Sequence, residues 1–135
     1  MFLDSSVLVS ASGSRRSLSR LILEAAPHRR WDLITASYCI AEVNRNVTKF
    51  GKAGILAWKE IEPKIRIVPN ALVSNRPLLL TATKDKPVLI SALASESNYL
   101  LTLDIADFGI VLNTSVCGMC VATPRQFLVE QGFGP

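Results

Sequence analysis

The sequence predicts a three-layer α/β fold, five parallel strands covered on both faces by helices, from three observations. Short apolar or β-branched runs alternate with helical periods along the chain, the pattern of a parallel sheet. The 135 residues suit one compact domain, residues 1–135. The hydrophobic share, 49%, is ample for a core and far from a disordered composition.

In chain order, "MFLD" reads as a short first strand. "SSVLVSAS" opens a helix with Ser5 or Ser6 as its cap. "RRSLSRLILEAAP" is amphipathic, with Leu18, Leu21, Ile22 and Ala25 at helical spacing and Pro27 just past its end. "WDLITA" is the second strand, and "SYCIAEVNRNVTKF" a helix whose stripe is Ile40, Val43, Val47 and Phe50, ended by Gly51. "AGILAWKEIEP" is another short helix, stopped at Pro63, and "KIRIVP" the third strand. Residues 69–84 have no clear period and read as a loop with a helical turn. "DKPVLISALASES" is apolar nearly all round, hence a central buried helix with Pro87 near its first turn. "NYLLTL" and "MCVAT" are the fourth and fifth strands. "PRQFLVEQG" closes the chain as a helix, with Thr123 as cap, Pro124 at its first position and Gly132 as its stop.

The longest apolar runs are too short to span a bilayer, and no basic region precedes an apolar N-terminal segment, so neither a membrane anchor nor a signal peptide is expected. Three cysteines, Cys39, Cys117 and Cys120, form no disulfide framework and point to a reducing, cytoplasmic setting. "CGMC" has the C-x-x-C form, but it leads into a strand and lacks two further zinc ligands nearby, so ordinary buried or half-buried thiols are expected. The net charge is +4, from 15 basic and 11 acidic residues. Convergence of several acids in one pocket would leave the remaining surface strongly basic and attractive to polyanions.

The acids are placed suggestively. In open parallel sheets, ligands bind beyond the carboxyl ends of the strands, where strand order reverses. Asp4 ends the first strand and Asp104 the fourth, within "YLLTLDIADFG". Asp85 precedes the buried helix, Glu42 lies in the first turns of its own, and Asp107 is one helical turn beyond Asp104. Several carboxylates at one sheet edge repel one another unless a cation neutralises them, and oxygen ligands in that number suit Mg²⁺ or Mn²⁺. Each acid also has a plainer reading: Asp85 as a helix cap, Asp104 and Asp107 as turn caps, Glu42 as a solvated helix residue. Asp4, an acid among apolar residues at a strand end, is the hardest to explain without a partner.

Taken in order, "FLDSSVLVSA", "AEV", "KDKPVLISALASESNYLLTLDIADF" and "VATPRQFL" resemble a PIN domain over essentially the whole chain. The third block is the most specific: an Asp, a buried helix, a strand, then T-x-D. The resemblance is to the metal-dependent ribonucleases that act as toxins in bacterial and archaeal toxin–antitoxin pairs. It implies the strand order 3-2-1-4-5 and an acidic pocket for Mg²⁺ or Mn²⁺. It also implies Asp4, Glu42, Asp85 and Asp104 as catalytic acids, with Asp4, Asp104 and Asp85 as metal ligands and Asp107 as the second choice for the last ligand. Thr102 and Ser6 would support them. Ser5 and Ser6 stand where the family often has Thr-Asn, so the pocket lacks an amide.

The implied activity is hydrolysis of single-stranded RNA, with metal-activated water attacking phosphorus in line. Arg15, Arg16, Arg45 and Lys84 lie closest to the motifs and are the candidates for holding the RNA backbone. Trp31 and Trp58 are read chiefly as packing residues, with base stacking as the alternative. The resemblance also implies an antitoxin partner and a homodimer. The rival class is a PIN-like binding module with weak or no catalysis. A receiver domain needs an adjacent acidic pair after its first strand and a late rim lysine, and a dehalogenase-type phosphatase needs D-x-D. "DSS" and the lack of any lysine after Lys86 match neither.

Overall fold

A computed structural model describes residues 1–69, 86–104, 114–116 and 118–133. The strands are β1 (Phe2–Leu3), β2 (Ile34–Ala36), β3 (Arg66–Val68), β4 (Tyr99–Leu101), β5 (Thr114–Val116) and β6 (Met119–Ala122). The helices are α1 (Ser5–Gly13), α2 (Leu18–Arg29), α3 (Ser37–Asn46), α4 (Gly51–Ile61), α5 (Lys86–Ala94) and α6 (Pro124–Glu130). The five parallel strands run in the expected order, 3-2-1-4-5, with β6 as the fifth. One strand was not foreseen: β5 pairs antiparallel with β6 and forms the sheet edge. Its connection to β6 passes through Gly118, whose φ of 84° carries no Cβ penalty in glycine.

Alternation along the strands feeds two cores. Leu3, Leu101 and Ala122 point into a cluster with Val7, Leu23 and Ile61, while their neighbours Phe2, Leu100 and Val121 join Val88, Leu89 and Ala92 of α5. Both faces are therefore buried, and the one polar side chain inside β2, Thr35, is satisfied by donating to the Leu3 carbonyl at 2.8 Å. Helix α3 serves both sides, with Cys39 in one core and Val43 in the other. No helix among the described residues is long and apolar enough to cross a membrane.

Several local expectations are corrected. The buried face of α2 is Ser19, Ile22, Leu23 and Ala26, with Leu18 and Leu21 exposed. Two helical stripes overlap at Ile22, and hydropathy favours the one without a serine. Buried Arg20, on the same helix, is held by Glu24 at 3.3 Å and Glu60 at 3.2 Å. Pro27 lies inside α2 rather than beyond it, and the helix closes at Arg30 in the left-handed conformation. Neither Ser5 nor Ser6 caps α1: both lie within the helix, and Asp4 occupies the cap position without a side-chain capping bond. Phe50 leaves the core stripe because the chain tightens into a 3-10 turn over Val47–Phe50, which changes the rotation per residue. The closing helix begins as expected, with a reciprocal capping box between Thr123 and Gln126. Trp58 is buried and donates to Asn44 at 2.8 Å, and half-buried Trp31 packs edge-on against Phe127, so both are packing residues. Most of the expected loop at 69–84 lies outside the described residues.

Candidate active site

Because the central strands are parallel, β1 and β4 finish at the same edge, and the Asp4 N–H donates to the Leu101 carbonyl at 3.0 Å. Strand order reverses between these two strands: β2 and β3 lie on one side of β1, β4 and β6 on the other. Here a cavity of about 560 Å³ opens, lined by Asp4, Glu42 and Asp104 among others. The fold thus brings together three of the acids singled out in the sequence. Asp85 and Asp107 lie outside the described residues.

Asp4 is 6% exposed, and its carboxylate is held by hydroxyls. Oδ2 accepts from Thr102 Oγ1 at 2.7 Å and from Ser6 Oγ at 3.0 Å. Each hydroxyl can donate its one proton there because it accepts from a backbone N–H instead. The Asp104 N–H donates to Thr102 Oγ1 and the Leu103 N–H to Ser6 Oγ, both at 3.0 Å. Asp4 therefore fixes, through two hydroxyls, the backbone of the segment that carries Asp104. On the other side Ser5 Oγ donates to Glu42 Oε2 at 2.9 Å and lies 3.5 Å from Asp4 Oδ1. One hydroxyl proton serves one acceptor at a time, so the shorter contact, to Glu42, takes it.

Burial pushes the Asp4 carboxyl above its usual acidity range, and the negative charge of Glu42 adds to the rise. The bonds from Thr102 and Ser6 and from the Ser5 backbone oppose it. Below it, burial and the Asp4 charge push the Cys39 thiol up to about 11. The Tyr38 phenol, which also lines the cavity, is pushed above its usual range, mainly by burial. These shifts share their largest cause, burial, which disfavours negative charge on each group.

The donor chemistry fits a hard divalent ion. The lining acids offer only oxygen, and Mg²⁺ typically takes one or two carboxylates and keeps several waters. Among the described residues, no group of three or more acidic, histidine or cysteine side chains is placed to hold a metal ion. The oxygen donors lining the cavity among the described residues include Asp4, Glu42 and Asp104, with Ser5 linking Glu42 to Asp4.

The candidate RNA-holding residues are spread out. Arg15 is exposed and reaches Glu60 at 3.5 Å, Arg16 and Arg45 are exposed, none of the three lines the cavity, and Lys84 lies outside the described residues. Among the described lining residues, the cation Lys49 and Asn46 were not singled out in the sequence, while Phe50 was read as part of a core stripe and Ser5 as a helix cap or as the residue at the family's Thr position. No local motif marks Lys49 or Phe50 as lining residues: the 3-10 turn after α3 carries them, while Asn46 ends α3 and Ser5 opens α1. The thiols are as expected, Cys39 buried and Cys120 half-buried, both free, while Cys117 lies outside the described residues.

The chain matches no known family and no curated protein.

Proposed function

We propose that this protein is a divalent-metal-dependent endoribonuclease of PIN-domain type, hydrolysing phosphodiesters of single-stranded RNA. The observation that carries this reading is the meeting of Asp4, Glu42 and Asp104 in one cavity at the reversal of strand order. Burying a carboxylate at the end of the central strand is costly, and a cation beside it would offset that cost. A hydrated Mg²⁺ or Mn²⁺ there would neutralise the acids and lower the pKa of attacking water. The protein's part is positional: Thr102 and Ser6 hold Asp4, Asp4 in turn fixes the Asp104 segment, and Ser5 orients Glu42.

The sequence resemblance extends this reading to a toxin with a small protein inhibitor, to a homodimer and to a cytoplasmic setting. Co-purification of an inhibitor and light scattering test the first two. The test of the activity is cleavage of end-labelled single-stranded RNA with Mg²⁺ or Mn²⁺. Wild type should cut, EDTA should stop it, and Asp4→Asn and Asp104→Asn should each lose more than the roughly 10- to 100-fold that loss of a ligand's hydrogen-bond partner costs. Full activity in a folded Asp4→Asn protein would remove the site assignment. A second reading, a binding module on the same fold, draws on the absence of such a group of three or more among the described residues. Divalent-ion binding without cleavage of any RNA would favour it.

A further inference from the structure

Beside the acids, the cavity is lined by Lys49 and Phe50, consecutive residues of the 3-10 turn that follows α3. Phe50 is 37% exposed, high for an aromatic ring in a chain with an ample core. Its position is built for. A Cβ on Gly13 would lie 2.6 Å from the ring's Cζ, and one on Gly54 would lie 2.5 Å from the Cβ of Phe50. Two helices thus give up a side chain where the ring packs. The Lys49 ammonium lies 5.3 Å from the ring centroid. Among the described lining residues, Lys49 is the one cation facing three acids.

Size adds to this. A hydrated ion needs about 30 Å³ for each of its waters, so an ion with its shell takes less than half of a cavity of about 560 Å³. The rest is room for a ligand that is anionic in one part, to meet Lys49, and flat and apolar in another, to meet Phe50. A nucleotide unit has both parts. We propose that Lys49 and Phe50 form a nucleotide subsite of this cavity. The Phe50 ring packs on a base of single-stranded RNA, and Lys49 binds the phosphate beside it. This rests on reading the cavity as a ribonuclease site and names how its substrate is held. A ring contact accepts any base, so the subsite favours unpaired strands over a particular sequence.

The test uses a short single-stranded RNA carrying 2-aminopurine, titrated in Mg²⁺ against the full chain with Asp104→Asn, which suppresses cutting. Cleavage by the wild-type background is measured separately. Binding should quench the probe. Adding Phe50→Leu, which keeps apolar volume between the glycines, should abolish most of the quench and weaken binding about 5- to 150-fold, as for loss of one stacked base. Lys49→Gln should weaken binding and lower the salt slope by about 0.7. Gly13→Ala, whose Cβ must displace the ring, should reduce the quench while Phe50 remains, which covers a Phe50→Leu protein that melts early. Unchanged quench and affinity in Phe50→Leu, or no binding by the parent, overturns the subsite. If wild type cuts RNA and Phe50→Leu leaves KM unchanged, the subsite falls and the nuclease stands. If RNA binds through Phe50 and nothing is cut, the subsite stands and the nuclease falls.

Discussion

Thr102→Val takes one oxygen out of the site and leaves its shape alone. The side chain is fully buried, and its Oγ1 both donates to Asp4 Oδ2 at 2.7 Å and accepts the Asp104 N–H at 3.0 Å. Loss of a hydrogen bond to a charged group costs about 1.5–3 kcal/mol. The Asp104 N–H is only partly buried, so losing its acceptor adds about 1 kcal/mol, the low end for an unmade bond. The methyl that replaces the hydroxyl returns part of this through apolar burial, leaving a net loss of about 2–3 kcal/mol. For a chain of this length each kcal/mol moves the melting point by about 3–5 °C, so a fall of about 6–15 °C is expected. Thr102→Ser keeps the oxygen and loses one buried methyl, for about 1 kcal/mol. The assay is thermal and urea unfolding in EDTA, which removes any contribution from bound metal. Valine as stable as serine at this position would refute the linkage of Asp4 to the Asp104 segment through Thr102.

Three further outcomes follow from the same geometry. Wild type should melt higher in Mg²⁺ or Mn²⁺ than in EDTA, by the equivalent of about 2.7 kcal/mol at a hundredfold excess over Kd, and Asp4→Asn should lose most of that shift; an equal shift in both would place the ion elsewhere. Gly54→Ala gains about 1 kcal/mol of helix propensity, but its Cβ would lie 2.5 Å from Phe50 Cβ and 2.9 Å from the Val47 carbonyl, so overpacking of about 1–3 kcal/mol should make it less stable; a raised melting point would contradict the close packing there. Cys39, with its thiol pushed up to about 11, should resist iodoacetamide at pH 8 in the native protein while half-buried Cys120 reacts. Because its folded pKa is raised, its contribution to stability should hold below about pH 9 and fall as pH rises toward 11. Rapid native labelling of Cys39, read by peptide mapping, would overturn this.

The architecture was legible in the chain because its signals are local and repeated. Alternating runs marked the five parallel strands, and Thr123 as cap with Pro124 after it marked the start of the last helix. Strand β5 escaped notice because a three-residue edge strand next to a glycine turn carries almost no period. In α2, two stripes of equal helical quality overlapped, and only packing against the other helices selects the one that buries a serine.

The site divides in the same way. The sequence by itself determined that Asp4 and Asp104 follow the first and fourth strands at one edge, since parallel connection puts all carboxyl ends there. Their adjacency was implied by the family resemblance, and the structure ends β4 at Leu101, three residues before Asp104. The sequence also determined that Thr102 and Ser6 lie close enough in the chain to serve them. Only the tertiary structure decided how those hydroxyls are used: both donate to Asp4 and accept from the backbone at 103 and 104, and Ser6 does not cap a helix. Only it brought Lys49 and Phe50 to the same cavity. The reason is one of range. Strand ends follow from patterns a few residues long, whereas the direction of a side chain after a 3-10 turn depends on contacts with Gly13, 37 positions away. No local period records such a contact.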